Sequence, residues 1–252
     1  MTAVLLVFLG LFGVAIGSFL NVVIVRMPAD ESVLSPPSKC PLCETPIKGR
    51  DNIPIVSWVL LRGRCRSCHE PIPVGYPLIE AANGVLWIAA GIRFGADWVL
   101  LPYLFLFSVL LAQSVIDLEL YRLPDKITLP ALWTSAAVIP LVSVLVGEPE
   151  AIVGAFVGGI GYYLFLFVPF FIYPKGMGFG DVKLAALMGL YLGWINPILV
   201  LMAALIACVA GTAVGGVLYL VRGRQSREFA FGPWLAFGCV VAILASDLLL
   251  RS

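Results

Sequence analysis

The chain has 252 residues, of which 61% are hydrophobic and 12% charged, with a formal net charge of +1 and a mean hydropathy of +1.02. So apolar a composition excludes an ordinary water-soluble domain and marks a polytopic membrane protein. A nucleic-acid partner is excluded as well, because such a surface needs a clustered basic face and most of this chain has no charge to cluster.

A helix needs about 20 apolar residues to cross the hydrocarbon. On that ruler the sequence predicts spans over residues 3–25, 76–93, 98–117, 127–147, 151–173, 182–194, 197–221 and 231–250, the sixth being short and the weakest. The runs are continuously apolar rather than alternating, which excludes a closed barrel. The expected fold class is all-α, with about eight transmembrane helices. The expected division is a first helix over 1–25, a polar loop over 26–75 and a membrane domain over 76–252 with seven further helices.

The first span has no basic residue before it and no small-residue cleavage site after it, so it reads as a permanent helix rather than a signal peptide. Its Gly10, Gly13, Gly17 and Ser18 suit close packing against another helix. With eight spans, basic residues should gather in the cytoplasmic loops. If the N-terminus is outside, only Arg93 and Arg251 of the 16 Lys and Arg residues face outward, leaving 14 inside. That asymmetry supports the weak sixth span, since deleting it would move Arg222, Arg224 and Arg227 to the other face. Those three arginines set orientation and require no specific ligand.

The loop after the first span holds two Cys-x-x-Cys turns, Cys40 to Cys43 and Cys65 to Cys68, separated by 21 residues. Each turn offers two thiolates, and two turns complete a tetrahedral four-sulfur zinc site of the zinc-ribbon kind. Two disulfides or a redox pair are the competing reading, which the charge asymmetry disfavours by placing the loop in a reducing compartment. Zinc here would be structural, holding about 50 residues that have too few apolar groups for a core. His69 follows Cys68 directly and reads as a solvated loop residue rather than a spare ligand. Cys208 and Cys239 lie within apolar spans and read as small hydrophobes.

Charge inside or at the ends of apolar runs is costly, which singles out five acids. Glu80 lies several residues into the second span, where it is either functional or paired with Asn21 or Arg26 of the first. Asp117 closes the third span. Glu119, two positions on, turns away from Asp117 on a continuing helix. Asp125 follows Pro124 and starts the next helix as a cap, or lines a cleft. Asp181 completes Gly178-Phe179-Gly180-Asp181 at the start of the sixth span, where Gly176, Gly178 and Gly180 permit a tight turn and close approach of a substrate backbone.

Asp117 and Asp181 both fall at predicted cytoplasmic helix ends. Two aspartates that share a site cannot both ionise cheaply, so one can deprotonate water while the other polarises a peptide carbonyl and serves the leaving nitrogen. Each also has a plain structural explanation: Asp181 as the cap of a helix starting at Val182, and Asp117 as a solvated acid beside Arg122. Lys183 either tunes an aspartate or binds a substrate carboxylate, or snorkels to the headgroups. The lone histidine outside the site disfavours a histidine-dependent protease.

In this order the motifs resemble the bacterial type IV prepilin peptidases, membrane aspartyl proteases of the Gly-x-Gly-Asp class. The resemblance runs through Gly17-Ser18-Phe19-Leu20-Asn21-Val22 with Arg26 and Pro28, the two cysteine turns and Tyr76-Pro77-Leu78-Ile79-Glu80. It continues through Asp117, Leu123-Pro124-Asp125 and Gly176 to Lys183. It implies Asp117 and Asp181 as the catalytic pair, with Gly178, Gly180, Asp125 and Lys183 about the cleft. The implied reaction removes short basic leaders from prepilins and pseudopilins at the cytoplasmic face of the bacterial inner membrane.

A second implied activity is methyl transfer from S-adenosylmethionine to the new N-terminal amine, with Asn21, Arg26 and Glu80 contributing. The sequence has no glycine-rich strand-to-helix turn of the soluble methyltransferase kind. Two other classes of reading compete. A transporter or proton channel would place its carboxylates at the bilayer midplane in broken helices. A membrane thiol oxidoreductase would need its Cys-x-x-Cys pairs in an oxidising compartment.

Overall fold

The computed structural model describes residues 2–174, 177–222 and 230–250. Gly176 and the basic residues Lys175, Arg224, Arg227 and Arg251 lie outside them. Long apolar runs satisfy their backbone groups most cheaply as helices, and most of the described residues are helical, with no strand among them and a largely irregular stretch over 27–74. Eight longer helices are present: α1 (Thr2–Arg26), α3 (Gly75–Phe94), α4 (Leu100–Leu120), α5 (Asp125–Leu145), α6 (Ala151–Ile172), α7 (Phe179–Ile195), α8 (Ile198–Arg222) and α9 (Gly232–Leu244). Short pieces complete the set: a 3-10 turn at Gly49–Asp51, α2 (Val56–Leu60) and α10 (Ser246–Leu249).

Five helices, α1, α4, α5, α6 and α8, are long and apolar enough to cross a membrane by themselves, and α9 is a shorter apolar helix. The chain is a multi-pass membrane protein. α3 is long enough, but Glu80, Asn83 and Arg93 dilute its apolar run. α7 has only 17 residues and is buried along most of its length, so its neighbours supply the apolar surroundings that its sequence lacks. The last predicted span divides at Ala245 into α9 and α10.

The chain forms two compact units, Met1–Ala96 and Asp97–Ser252. In the first, α1 and α3 pack through small residues, as the sequence predicts for Gly10, Gly13 and Gly17. A methyl group on Gly13 would meet Gly84 Cα at 2.9 Å, and one on Gly17 would meet Glu80 Cα at 2.7 Å. Asn83 ties the pair further, its amide donating to Gly13 O at 2.7 Å.

In the second unit α4 is buried along most of its length. α6 and α7 touch backbone to backbone: a methyl on Gly158 would sit 2.4 Å from Gly189 O, and one on Gly193 would sit 2.3 Å from Gly154 O. Glycines four apart on both helices produce this approach, where lipid gives no hydrophobic drive and packing must do the work. Buried polar side chains tie α4, α5 and α7. Tyr103 donates to Tyr191 O at 3.0 Å, Ser135 and Tyr191 hydroxyls lie 2.9 Å apart, and Gln113 donates to Thr128.

Candidate active site

Asp117 lies in the last turn of α4, whose helix ends at Tyr121 in the left-handed conformation, φ 52°. Its carboxyl is only 5% exposed, so the solvated-acid explanation fails. Oδ2 accepts the Gly232 backbone N–H at 3.0 Å. Gly232 stands at the N-terminus of α9, where backbone N–H groups lack helical partners and a carboxylate is favoured. A methyl on Gly232 would sit 2.8 Å from that same oxygen, so the contact requires glycine.

Asp181 is 8% exposed and sits in the first turn of α7. The helix begins at Phe179, three residues before Val182, and its N-cap is Gly178 with no side-chain cap bond. Asp181 is therefore not the cap. Gly178 instead folds beneath it: the Asp181 N–H donates to Gly178 O at 3.1 Å, and a methyl on Gly178 would approach Asp181 Oδ2 to 3.3 Å. Asp181 Oδ1 is buried without a hydrogen-bond partner among the described residues. A buried polar atom left in that state costs about 1–3 kcal/mol and asks for an explanation.

The two carboxyls share surroundings. Leu123, in the α4–α5 connection, lies against Gly180, where a methyl would meet its Cβ at 2.9 Å, and also against Gly232, where one would meet its Cδ2 at 3.5 Å. Leu123 thus joins the turn that carries Asp181 to the glycine whose N–H Asp117 accepts. Gly180 and Gly232 let Leu123 and the Asp117 carboxyl pack where a side chain would stand, and Gly178 lies against the Asp181 carboxyl.

Asp125 and Lys183 pair with one another. Lys183 Nζ lies 2.7 Å from both Asp125 carboxylate oxygens and 4.8 Å over the Phe179 ring. Asp125 is in the first turn of α5, with Pro124 at the N-cap, so it clamps α5 to α7 instead of capping. Glu119 is exposed, as its position on the helix predicts.

In the first unit, Glu80 is 7% exposed and its Oε2 accepts the Ile55 N–H at 2.7 Å, so its partner is neither Asn21 nor Arg26. Asn21 donates to Tyr76 O at 3.3 Å and Arg26 to Ser32 O at 3.0 Å. All three polar side chains hold main chain of their own unit.

The four loop cysteines converge, with all Sγ atoms within 4.8 Å of one another. Cys40 and Cys68 sulfurs are 3.8 Å apart and Cys43 and Cys65 sulfurs 4.0 Å. A tetrahedral zinc with Zn–S near 2.3 Å needs sulfurs about 3.8 Å apart, so the set fits a metal. The separations are well beyond the ~2.05 Å of a disulfide.

The two turns repeat one another. The residue after each second cysteine, Glu44 or His69, has φ of 56° or 60°, and bridges pair Lys39 with Pro46 and Arg64 with Pro71. His69 is thus a turn residue, outside the ligand set. The Thr45 hydroxyl, 3.3 Å away, is the main cause pulling the Cys43 thiol down to about 6, toward the thiolate that a metal requires.

Sequence reasoning missed Gly232. It lies 115 residues from Asp117, and nothing in its neighbourhood marks it beyond Pro233 after it, which suits a helix start.

The profile described as "Bacterial Peptidase A24 N-terminal domain" matches residues 11–94, and that of the "Type IV leader peptidase family" matches residues 104–216. The chain is 38% identical to the prepilin leader peptidase/N-methyltransferase of Aeromonas hydrophila, over 96% of this chain and 91% of that protein. It is also 38% identical to the protein of that name from Pectobacterium carotovorum subsp. carotovorum, over 94% and 91%. A Burkholderia pseudomallei relative of the same name is again 38% identical, over 94% and 84%. No solved structure matches the chain. With that identity along nearly the whole of both chains, this protein belongs to the type IV leader peptidase family.

Proposed function

We propose that the protein removes the leader peptide from prepilins and pseudopilins, with Asp117 and Asp181 as the catalytic pair, and methylates the new N-terminus. The observation that carries the first half is Asp181 Oδ1, buried with no hydrogen-bond partner among the described residues, in a turn that shares Leu123 with Gly232, whose N–H Asp117 accepts. A folded protein keeps such an atom where a substrate or water completes it.

The hydrogen bonds support a division of roles. Asp117 accepts a backbone N–H, a bond suited to a carboxylate, and acts as the base that takes a proton from water as its oxygen attacks the scissile carbonyl. Asp181, which has no donor on Oδ1, carries the shared proton and places it on the carbonyl oxygen. As the gem-diol intermediate collapses, the C–N bond breaks, the proton held by Asp117 passes to the leaving nitrogen and a gem-diol hydroxyl proton returns to Asp181, restoring the pair to its starting state. Gly178 and Gly180 are the proposed cleft glycines, lying against Asp181 and Leu123, and the Asp125–Lys183 pair joins α5 to α7.

S-adenosylmethionine is the proposed methyl donor, supplying a methyl group to the freed amine. Asn21, Arg26 and Glu80 are the proposed contributors, through the shape they give the polar ends of α1 and α3. Each holds one main-chain group of its own unit by a hydrogen bond, and no step is routed through the donor. Zinc is the proposed metal of Cys40, Cys43, Cys65 and Cys68, and four thiolates leave it no open position, which makes it structural. The 14-to-2 distribution of basic residues supports an inner-membrane location with the carboxylates facing the cytoplasm.

The test is cleavage of a purified prepilin by the purified chain, followed as loss of the leader mass. Asp117→Ala and Asp181→Ala variants should leave the precursor intact, and full processing by either would reject the dyad.

A further inference from the structure

The segment around α2 is built inside out. Ser57 is buried, its hydroxyl donating to Arg50 O and accepting the Ile53 N–H, both at 3.0 Å. Trp58 also turns inward, its indole N–H donating to Ile72 O at 3.1 Å and its ring lying against Gly63. The aliphatic side chains are left outside: Ile53 is 48% exposed, Val56 49%, Val59 60% and Leu60 75%. Val56, Val59 and Leu60 follow the i, i+3, i+4 spacing of one helix face.

The depth of that face is fixed by Glu80. The Ile55 N–H donates to its carboxylate at 2.7 Å, and Ile55 is held at φ 60°, ψ −50°, which a β-branched residue rarely adopts. Glu80 is five residues past the start of α3, about 7.5 Å along the axis at ~1.5 Å per residue. The headgroup layer on each side of a bilayer is about 5–8 Å deep. With α3 crossing the membrane, the start of α2 therefore stands at the boundary between headgroups and acyl chains rather than in bulk water. Exposed basic residues flank the apolar face in sequence, Arg50 before it and Arg62 and Arg64 after it.

We propose that Ile53, Val56, Val59 and Leu60 form an interfacial anchor seated in the headgroup–acyl boundary, with the neighbouring arginines meeting anionic phospholipid. An apolar face about 5–10 Å into the interface with cations beside it is the arrangement that binds lipid surfaces. The anchor holds the four-cysteine loop down on the bilayer, and Glu80 sets its height. It requires only that α3 spans, so it stands apart from the peptidase assignment.

A photoreactive benzophenone amino acid placed at Val59 or Leu60 of the full chain, in vesicles of phosphatidylethanolamine and phosphatidylglycerol, reads the contact directly. Leu42, 64% exposed in the first cysteine turn, is the matched comparison. The expected products by mass spectrometry are lipid adducts at 59 and 60 and none at 42, with a lower yield in phosphatidylcholine vesicles. Adducts to the chain itself, to an added pilin precursor, or equally at 42 would overturn the anchor, and equal yields in both vesicles would overturn the role of anionic lipid. Hydrogen exchange on the unaltered chain gives a second reading. The amides of residues 56–60 should exchange more slowly in phosphatidylglycerol than in phosphatidylcholine bilayers, and no difference would count against the proposal.

Discussion

Asp117 and Asp181 carry the same carboxyl group into different hydrogen-bonding surroundings. One is held by a helix N-terminal N–H and the other has an oxygen with no donor. Gly232 is the residue on which that difference depends. Gly232→Ala would put a methyl 2.8 Å from Asp117 Oδ2 and displace the carboxyl. Since a misplacement of ~1 Å can cost about 10²-fold, we expect kcat for leader cleavage to fall by about that factor with KM changed little, measured by steady-state kinetics on a prepilin peptide. The two aspartates were legible in the sequence because a charge inside an apolar run stands out. Gly232 was not, because its contact is made by α4 packing on α9 and leaves no local pattern. Nor was the fate of Lys183, whose partner Asp125 lies 58 residues away.

At the scale of elements, small residues and metal ligands do the work that a soluble protein leaves to its apolar core. The α6–α7 contact is a case in point, since a methyl on Gly189 would sit 2.3 Å from Gly158 O. Gly189→Val should lower stability by about 1–3 kcal/mol, the usual cost of overpacking, read as a lower midpoint in thermal unfolding in detergent. The cysteine loop gives a second expectation. Metal analysis should find one zinc per chain, and chelation or Cys43→Ser should make residues 26–75 rapidly susceptible to protease. A metal-free chain with a protease-resistant loop would refute the zinc assignment. Paired Cys-x-x-Cys spacing made this site readable from sequence, because both ligand pairs are local. The start of α7 was less so: apolarity places it at Val182, whereas the helix begins at Phe179 because glycine and aspartate there continue the backbone without adding apolar signal.

For the whole molecule, the sequence-level expectation of an all-helical membrane chain agrees with the eight longer helices, and their approximate bounds follow from the apolar runs. What runs of apolar residues cannot show is which helices are wrapped by others. α4 and α7, which bring the two aspartates in, are buried along most of their length although their sequences are mostly apolar like those of the other helices. The same runs are silent on the α2 face, since four aliphatic residues in a polar loop look like a small core until Ser57 and Trp58 are seen to occupy the inside. The account rests most heavily on Asp117 and Asp181 acting as one unit. Cleavage rates for Asp117→Asn, Asp181→Asn and the double variant measure that directly. Each single variant should lose about 10²- to 10⁴-fold, and the double variant should be no slower than the worse single one, as groups that act together are non-additive. Losses that multiply in the double variant, or a single variant that keeps the wild-type rate, would contradict it.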